Sequence, residues 1–364
     1  MTSYSDCSLS FSPGNPPNRG ITFVDHASAG RSGHLGHALV EYAPDRLLAF
    51  YPNCAGEPND GHNAVGWMEY KRSTDGGTSW SDPLPFEYSK AVYENGGRSV
   101  MTENAVRADN GAVLAVNLEC DIAENGLWRP YGVPTYLRSE DGGDTWSDPR
   151  ALSDEPGRVY DVIRDGDDIL ALEFENDATD TWTGTRETDV YGLHASTDAG
   201  RSFDRRSTLP FDTDGRGYGA LTTLPDSRLV AYIYHEENET RLEYLTSTDG
   251  GRSWSEIGTT PLAKKIRNPQ VTRYGDRYLL HGRSGSYGYA SGNFVLYTSE
   301  DGLNWDDGTY LRMQEAGAGA YSESLVVGKL DQQSEPRVLI QASHAYEGSK
   351  TNVQHWWLTR REGH

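Results

Sequence analysis

One short pattern recurs along this chain and limits what it can fold into. Ser73-Thr-Asp75-Gly-Gly77-Thr-Ser-Trp80 is followed by Ser139-Glu-Asp141-Gly-Gly143-Asp-Thr-Trp146 and by Ser196-Thr-Asp198-Ala-Gly200-Arg-Ser-Phe203. A fourth copy is Ser247-Thr-Asp249-Gly-Gly251-Arg-Ser-Trp254, and a shortened fifth is Ser299-Glu-Asp301-Gly302-Leu-Asn-Trp305. Intervals of roughly 50–65 residues mark a repeat architecture, one supersecondary unit per repeat. Each part of the pattern has a physical job. The Asp accepts hydrogen bonds from its own turn, the Gly supplies left-handed backbone, and the aromatic packs the hairpin against a neighbour. The five aspartates are therefore read as structural.

A second pattern precedes each turn: a strand, a tight turn and an apolar strand. His37-Ala-Leu-Val leads to Leu47-Leu-Ala-Phe50, and Asn104-Ala-Val leads to Val113-Leu-Ala-Val116. Equivalent pairs begin at Tyr160, Tyr218, Asn268 and Tyr321, joined by turn residues such as Asp109-Asn-Gly111 and Asp165-Gly166. The expectation is an all-β fold, a six-bladed β-propeller of four-stranded antiparallel blades forming one domain over residues 1–364. The sixth unit has no Asp turn. Its third strand is expected over Asn352–Leu358 and its outer strand from Ile21–Val24, so that the N-terminal strand closes the ring and removes an exposed edge. Residues 1–20 are expected to be irregular.

Composition narrows the function classes. The formal charge of −21 argues against nucleic acid and anionic membranes as partners. Apolar residues make up 36%, but 22 Tyr and 9 Trp in regular runs exclude a disordered acidic chain. Cys7, Cys54 and Cys120 have no paired spacing, so neither a disulfide framework nor a zinc knuckle is expected. No apolar run reaches membrane-spanning length, and the first residues lack a signal-peptide pattern. A cytoplasmic protein or a mature secreted form is expected. No long insertion suggests a dimer arm, so the chain is read as a monomer or an oligomer the sequence does not specify.

In a propeller, the starts of the inner strands and the ends of the second strands surround one mouth of the axial channel. That rule selects His34, His37, Glu103, Tyr218, Arg267, Tyr321 and Glu323 at strand starts, and His235, Arg283 and His344 at strand ends. Asp60 and His62 come from the loop after the second strand of blade 1. Five of the ten histidines fall in this set.

The repeated turns resemble the Asp boxes, or bacterial neuraminidase repeats, of the sialidase superfamily, over nearly the whole chain. That resemblance implies a carbohydrate-active propeller. Sialidases hold the substrate carboxylate on three arginines, use a Tyr–Glu nucleophile pair and use an Asp acid/base. Arg283, in Leu-Leu-His-Gly-Arg-Ser, matches one arginine, Asp60 is the nearest match to the acid/base, and Tyr321 is a candidate for the tyrosine. The first family arginine is replaced by Gly33-His34-Leu-Gly-His37-Ala-Leu, and the position of the family glutamate is Asn268, preceded by Arg267.

Three functions follow. The first is a glycoside hydrolase acting on a terminal, acidic or neutral sugar, with Asp60, Glu103 or Glu323 as carboxyl catalysts. The second is a polysaccharide lyase that eliminates across a uronate, using His37, His62 and Tyr321, with Arg283 stabilising the enolate. The third is a glycan-binding propeller without catalysis. In the first two, His37, His62, Asp60, Glu103 and Tyr321 are the catalytic candidates. Arg267, Arg283, His34, Tyr218, His235, Glu323 and His344 are the substrate-binding candidates. The partner is a glycan in all three. No cofactor is expected; a divalent ion held by His34, His37, His62, His235 and His344 is the weaker alternative, because a three-residue His spacing favours metal on a helix rather than on a strand.

Overall fold

The computed structural model describes residues 9–11, 21–284, 294–311, 321–330 and 336–360. Its strands form six antiparallel sheets whose inner strands touch in sequence, Ala38–Ala43, Arg98–Arg107, Gly157–Asp165, Arg216–Thr223, Arg267–Tyr274 and Ser322–Val327. The last lies against the first, so the ring closes. The chain is a six-bladed β-propeller.

Each second strand is buried on both faces. Leu47 to Tyr51 and Val113 to Leu118 are continuous buried runs, which is why they read as unbroken apolar segments rather than alternating ones. Their side chains feed six apolar cores, one at every junction between blades. Cys54 and Cys120 are free thiols in the core between blades 1 and 2; burial pushes the Cys54 thiol up to about 12. Cys7 lies outside the described residues.

The repeated turns share one hydrogen-bond set. Ser73 Oγ donates to Asp75 Oδ1 at 2.8 Å and accepts from the Gly77 amide at 2.8 Å. Asp75 accepts the Ser79 amide at 2.9 Å and the Ser79 hydroxyl at 2.5 Å. These bonds, led by that from the Ser79 hydroxyl, hold the Asp75 carboxyl down at about 2. Gly77 has φ +83°, and a Cβ there would also meet the Trp357 ring at 2.7 Å. The aromatic that ends each turn packs on the preceding blade. Trp146 meets Phe50 and Phe86, Phe203 meets Tyr136, Trp305 meets Tyr232, and Trp254 donates Nε1–H to Ser207 Oγ.

The closing strand is Ile21–Val24, paired antiparallel with Lys350–Arg360, a longer third strand than the Asn352–Leu358 the sequence suggests. The segment expected to be irregular contains one more strand, Leu9–Phe11, which pairs with residues 358–360 beyond the end of the closing strand and so covers backbone that would otherwise be an open edge. Two further departures adjust the count of four strands per blade. Blade 1 begins with a separate short strand, Arg31–Ser32, and blade 2 gains Trp128–Tyr131 beside its second strand. Between these blades Glu87–Glu94 forms a helix, and among the described residues no helix is long and apolar enough to cross a membrane.

Phe23 anchors the closure. It stacks on His355 at 3.8 Å between ring centroids, meets Tyr51 and Trp80 edge-on, and carries Lys71 Nζ 4.7 Å above its ring. Phe23→Ala is expected to cost about 3–5 kcal/mol in urea unfolding. Ile21→Ala, two residues away on a side chain that is 53% exposed, should cost less than about 0.5 kcal/mol. Equal costs would contradict this account of ring closure.

Candidate active site

A regular strand alternates its side chains between two faces, and in a propeller both faces point at neighbouring blades. Breaking the pleat is one way to turn a side chain toward the axis. The inner strands of blades 2 to 5 are each broken by a bulge, where one or more residues fall out of register with the partner strand. The displaced residues are Glu103, Tyr160, Tyr218 and the pair Asn268–Pro269. All of them line one axial cavity, with His37, Arg158, Gln270 and Tyr321 among the other walls. A bulge re-aims a side chain, and here four bulges aim at one point. At Asn268 the backbone enters the left-handed region, φ +53°, which Asn tolerates better than most residues. In blade 1 the interruption is longer, Gly33–His37 between two strands, and it delivers His34 and His37.

Two tyrosines form the centre of the cavity wall. The Tyr218 and Tyr321 hydroxyls lie 3.1 Å apart. Three guanidiniums surround them: Arg158 and Arg267 stand 5.2 Å and 5.7 Å from the Tyr218 ring centre, and Arg283 stands 5.4 Å from that of Tyr321. Burial alone would raise the Tyr218 hydroxyl, but Arg267 and Arg158, the Tyr321 hydrogen bond and Arg283 outweigh it and bring it down to about 8. Tyr321 moves the other way, raised first by burial and then by Tyr218. The opposite shifts favour the ionised form at Tyr218, which would then accept the hydrogen bond of the Tyr321 hydroxyl. Trp182 stacks on the Tyr218 ring at 4.8 Å and carries the Arg267 guanidinium at 4.3 Å.

Glu103 is bound twice by Arg158, Nε to Oε2 at 2.6 Å and Nη2 to Oε1 at 2.5 Å. Burial pushes the Glu103 carboxyl up while Arg158 opposes it. A carboxylate in a two-point ion pair is a poor proton donor, so the pair positions Arg158 beside the tyrosines rather than offering Glu103 to a substrate.

His34, His37 and His62 are held toward the neutral form. Burial, with added cationic neighbours, takes His62 to about 4, and burial takes His37 to about 3. His34 is lowered by burial and by His62 beside it. The His34 ring lies 4.1 Å from His62 and 5.0 Å from Tyr321, and Trp128 meets His62 edge-on. His37 is fixed by a relay. His355 Nε2 donates to Gln341 Oε1 at 2.9 Å, and Gln341 Nε2 donates to the Phe50 carbonyl and to His37 Nδ1. His37 therefore carries its proton on Nε2, a buried atom with no partner among the described residues. It is a ready donor to a ligand.

The structure thus gathers His34, His37, His62, Glu103, Tyr218, Arg267, Arg283 and Tyr321. It does not bring the other four candidates into the cavity wall. Asp60 is exposed on the rim, where its carboxylate accepts the Ser349 amide at 3.0 Å. His235 accepts the Glu237 amide and stands beside Gly215, and His344 bonds Gln354 within blade 6. Glu323 is half-buried, and burial and Asp161 hold its carboxyl well above the usual range; Asp161 is itself raised by burial to about 7. The five proposed metal-binding histidines do not assemble, since His235 and His344 stand apart from His34 and His62. Sequence reasoning missed Arg158, two residues before Tyr160 at a strand start, and Trp128 and Trp182, which sit in loops and edges with no repeat counterpart.

Comparison with known proteins agrees with this architecture. Residues 162–331 match the family described as BNR repeat-like domain. Among solved structures, the NanB sialidase from Streptococcus pneumoniae is similar at 12% identity and a TM-score of 0.68, covering 94% of this chain and 70% of that one. At these identities the likeness shows a shared fold, a six-bladed β-propeller. A protein of unknown function from Dyadobacter fermentans is similar over 95% of this chain and 100% of its own, at 14% identity and a TM-score of 0.68. The Penicillium chrysogenum alpha-L-arabinanase is similar at 15% identity and a TM-score of 0.58, over 93% of this chain and 98% of that one. No curated sequence matches the chain. Identities this low speak to the fold and leave the chemistry to the site.

The depressed Tyr218 hydroxyl can be measured directly. A phenolate absorbance step near pH 8 is expected in the native protein, absent from Tyr218→Phe and moved upward in Arg267→Gln. A first tyrosine step in the ordinary range, about 10, would contradict the arrangement.

Proposed function

We propose that this chain is a glycoside hydrolase that acts on a terminal sugar bearing a carboxylate. The observation that carries this reading is the Tyr218–Tyr321 hydroxyl pair ringed by Arg158, Arg267 and Arg283. Arg267 and Arg283 hold the substrate carboxylate by charge-assisted hydrogen bonds. The cavity, about 40 Å³, takes a group of that size, and the sugar ring lies above it toward the mouth. A carboxylate nucleophile would be repelled by such a substrate, whereas an aryl oxygen held near its ionisation point would not. Tyr218 attacks the anomeric carbon while Tyr321 donates its hydrogen bond. This exchanges the roles expected from the sequence, where Tyr321 was the catalytic tyrosine and Tyr218 a binding residue. Asp60, exposed on the rim in the same loop as His62, gives its proton to the departing oxygen and then takes one from the water that displaces the Tyr218 oxygen, releasing the sugar and regenerating both groups. His37 Nε2–H and the His34–His62 pair bind sugar hydroxyls. The sialidase and arabinanase named above support a glycan substrate.

A second reading, elimination across a uronate, is favoured by one observation: neutral His34 and His62 stand beside the tyrosine pair. There the Tyr218 phenolate would take the proton next to the carboxylate, and the arginines would stabilise the enolate.

Sialosides and uronate-containing glycans distinguish the two. Release of reducing sugar without absorbance near 235 nm is expected, together with a loss of roughly 100-fold or more in kcat for Tyr218→Phe. A rise near 235 nm establishes elimination instead. Glycan binding with neither product means a binding propeller.

A further inference from the structure

The second strand of blade 3, Asp168–Glu175, places two carboxylates on one face, Glu173 and Glu175. The adjoining strand, Val190–Ser196, adds His194 to that face, with Gly192 directly opposite Glu173. His194 Nε2 lies 3.1 Å from Glu173 Oε2 and 3.7 Å from Glu175 Oε1. The three ligand atoms lie within 4.8 Å of one another, and among the described residues this is the one group of three His, Cys, Asp or Glu side chains so arranged. None of the three lines the axial cavity.

Two observations separate this cluster from an ordinary ion-pair network. Glu173 is completely buried, and its Oε2 and the Nε2 of His194 face each other as an ion pair whose N–H is not aimed at the oxygen; neither atom has a further hydrogen-bond partner among the described residues. In blade 4 the buried Glu243 is satisfied by Arg216 and Arg241, whereas in blade 1 the buried Glu41 also leaves Oε2 without a partner, but with no His or second carboxylate grouped beside it as a metal-binding set among the described residues. The second observation is space. A Cβ at Gly192 would collide with Glu175 Oε1 and sit 2.9 Å from His194 Nε2, and one at Gly157 would sit 2.6 Å from Glu173 Oε1. Gly192 leaves room beside two of the ligand atoms, and Gly157 leaves room for the other oxygen of Glu173.

We propose that Glu173, Glu175 and His194 form a binding site for a first-row divalent transition-metal ion of the Zn²⁺ type. One imidazole and two carboxylates suit such an ion, whereas Ca²⁺ and Mg²⁺ favour all-oxygen sites. The ion would be bound by both facing atoms. Ser153 Oγ, which donates to Glu173 Oε1 at 2.9 Å, orients that carboxylate. A cavity of about 410 Å³ lined by Glu175, Arg205, Asp177 and Asp189 gives the ion an entry path. Arg205, paired with Glu175 and partly exposed, is the competitor it displaces.

The test is Zn²⁺ titration of chelator-treated whole protein against a chromogenic chelator, with thermal unfolding followed in parallel. One equivalent is expected, with a raised Tm that Ca²⁺ does not reproduce. His194→Ala and Glu173→Gln should each weaken binding by roughly 100-fold. Arg205→Ala keeps all three ligands and removes the competitor, so it should bind Zn²⁺ about tenfold tighter, a result that stands even where the ligand variants fail to fold. No bound equivalent in folded native protein overturns the proposal. So does full binding in folded His194→Ala, unchanged or weaker binding in Arg205→Ala, or equal stabilisation by Ca²⁺.

Discussion

Interrupted pleating of the inner strands is the constraint on which the site depends. Six blades bury their faces against one another, and that demand fixes the direction of every side chain in a regular strand. Breaking register at Glu103, Tyr160, Tyr218 and Asn268–Pro269 gives up ladder hydrogen bonds at the axis and turns those residues inward. The scaffold stays regular where the cores need it and irregular where the chemistry does.

The second constraint is electrostatic. Three guanidiniums at close quarters repel one another and lose hydration when buried. The structure answers with Glu103, bound twice to Arg158, and with aromatic faces under Arg158, Arg267 and Arg283. The positive charge of these side chains, on a chain whose formal charge is −21, suits an anionic group entering there. The same cations lower Tyr218, so in the proposed hydrolase substrate binding and activation of the tyrosine would have one physical origin.

How much of this was legible in the sequence follows from the range of the interactions. The Ser-x-Asp turns are local, closed by residues at most a few positions apart, and they give blade number and order directly. The apolar second strands read as continuous runs because both faces are buried. Ring closure was legible because the last unit lacked a fourth strand and Ile21–Val24 had no other place. Strand starts therefore yielded His37, Glu103, Tyr218, Arg267 and Tyr321. Side-chain direction was not legible, since a shift of one residue reverses the face and no residue type announces a bulge. Arg158 was passed over beside Tyr160 for that reason. His235 and His344 stood at the correct strand ends and point elsewhere.

The pairing of Ile21–Val24 with Lys350–Arg360 also bears on how the ring is made. During synthesis the closing strand emerges first and the strand it needs emerges more than three hundred positions later. Blades 1 to 5 can stack as they appear, each turn aromatic settling on the blade already formed. The early strand has no sheet to join in that interval, and the growing edge stays open to other chains. The last junction to form is the one that brings His34 beside Tyr321, so a nascent propeller carries its tyrosines and arginines well before it has a site.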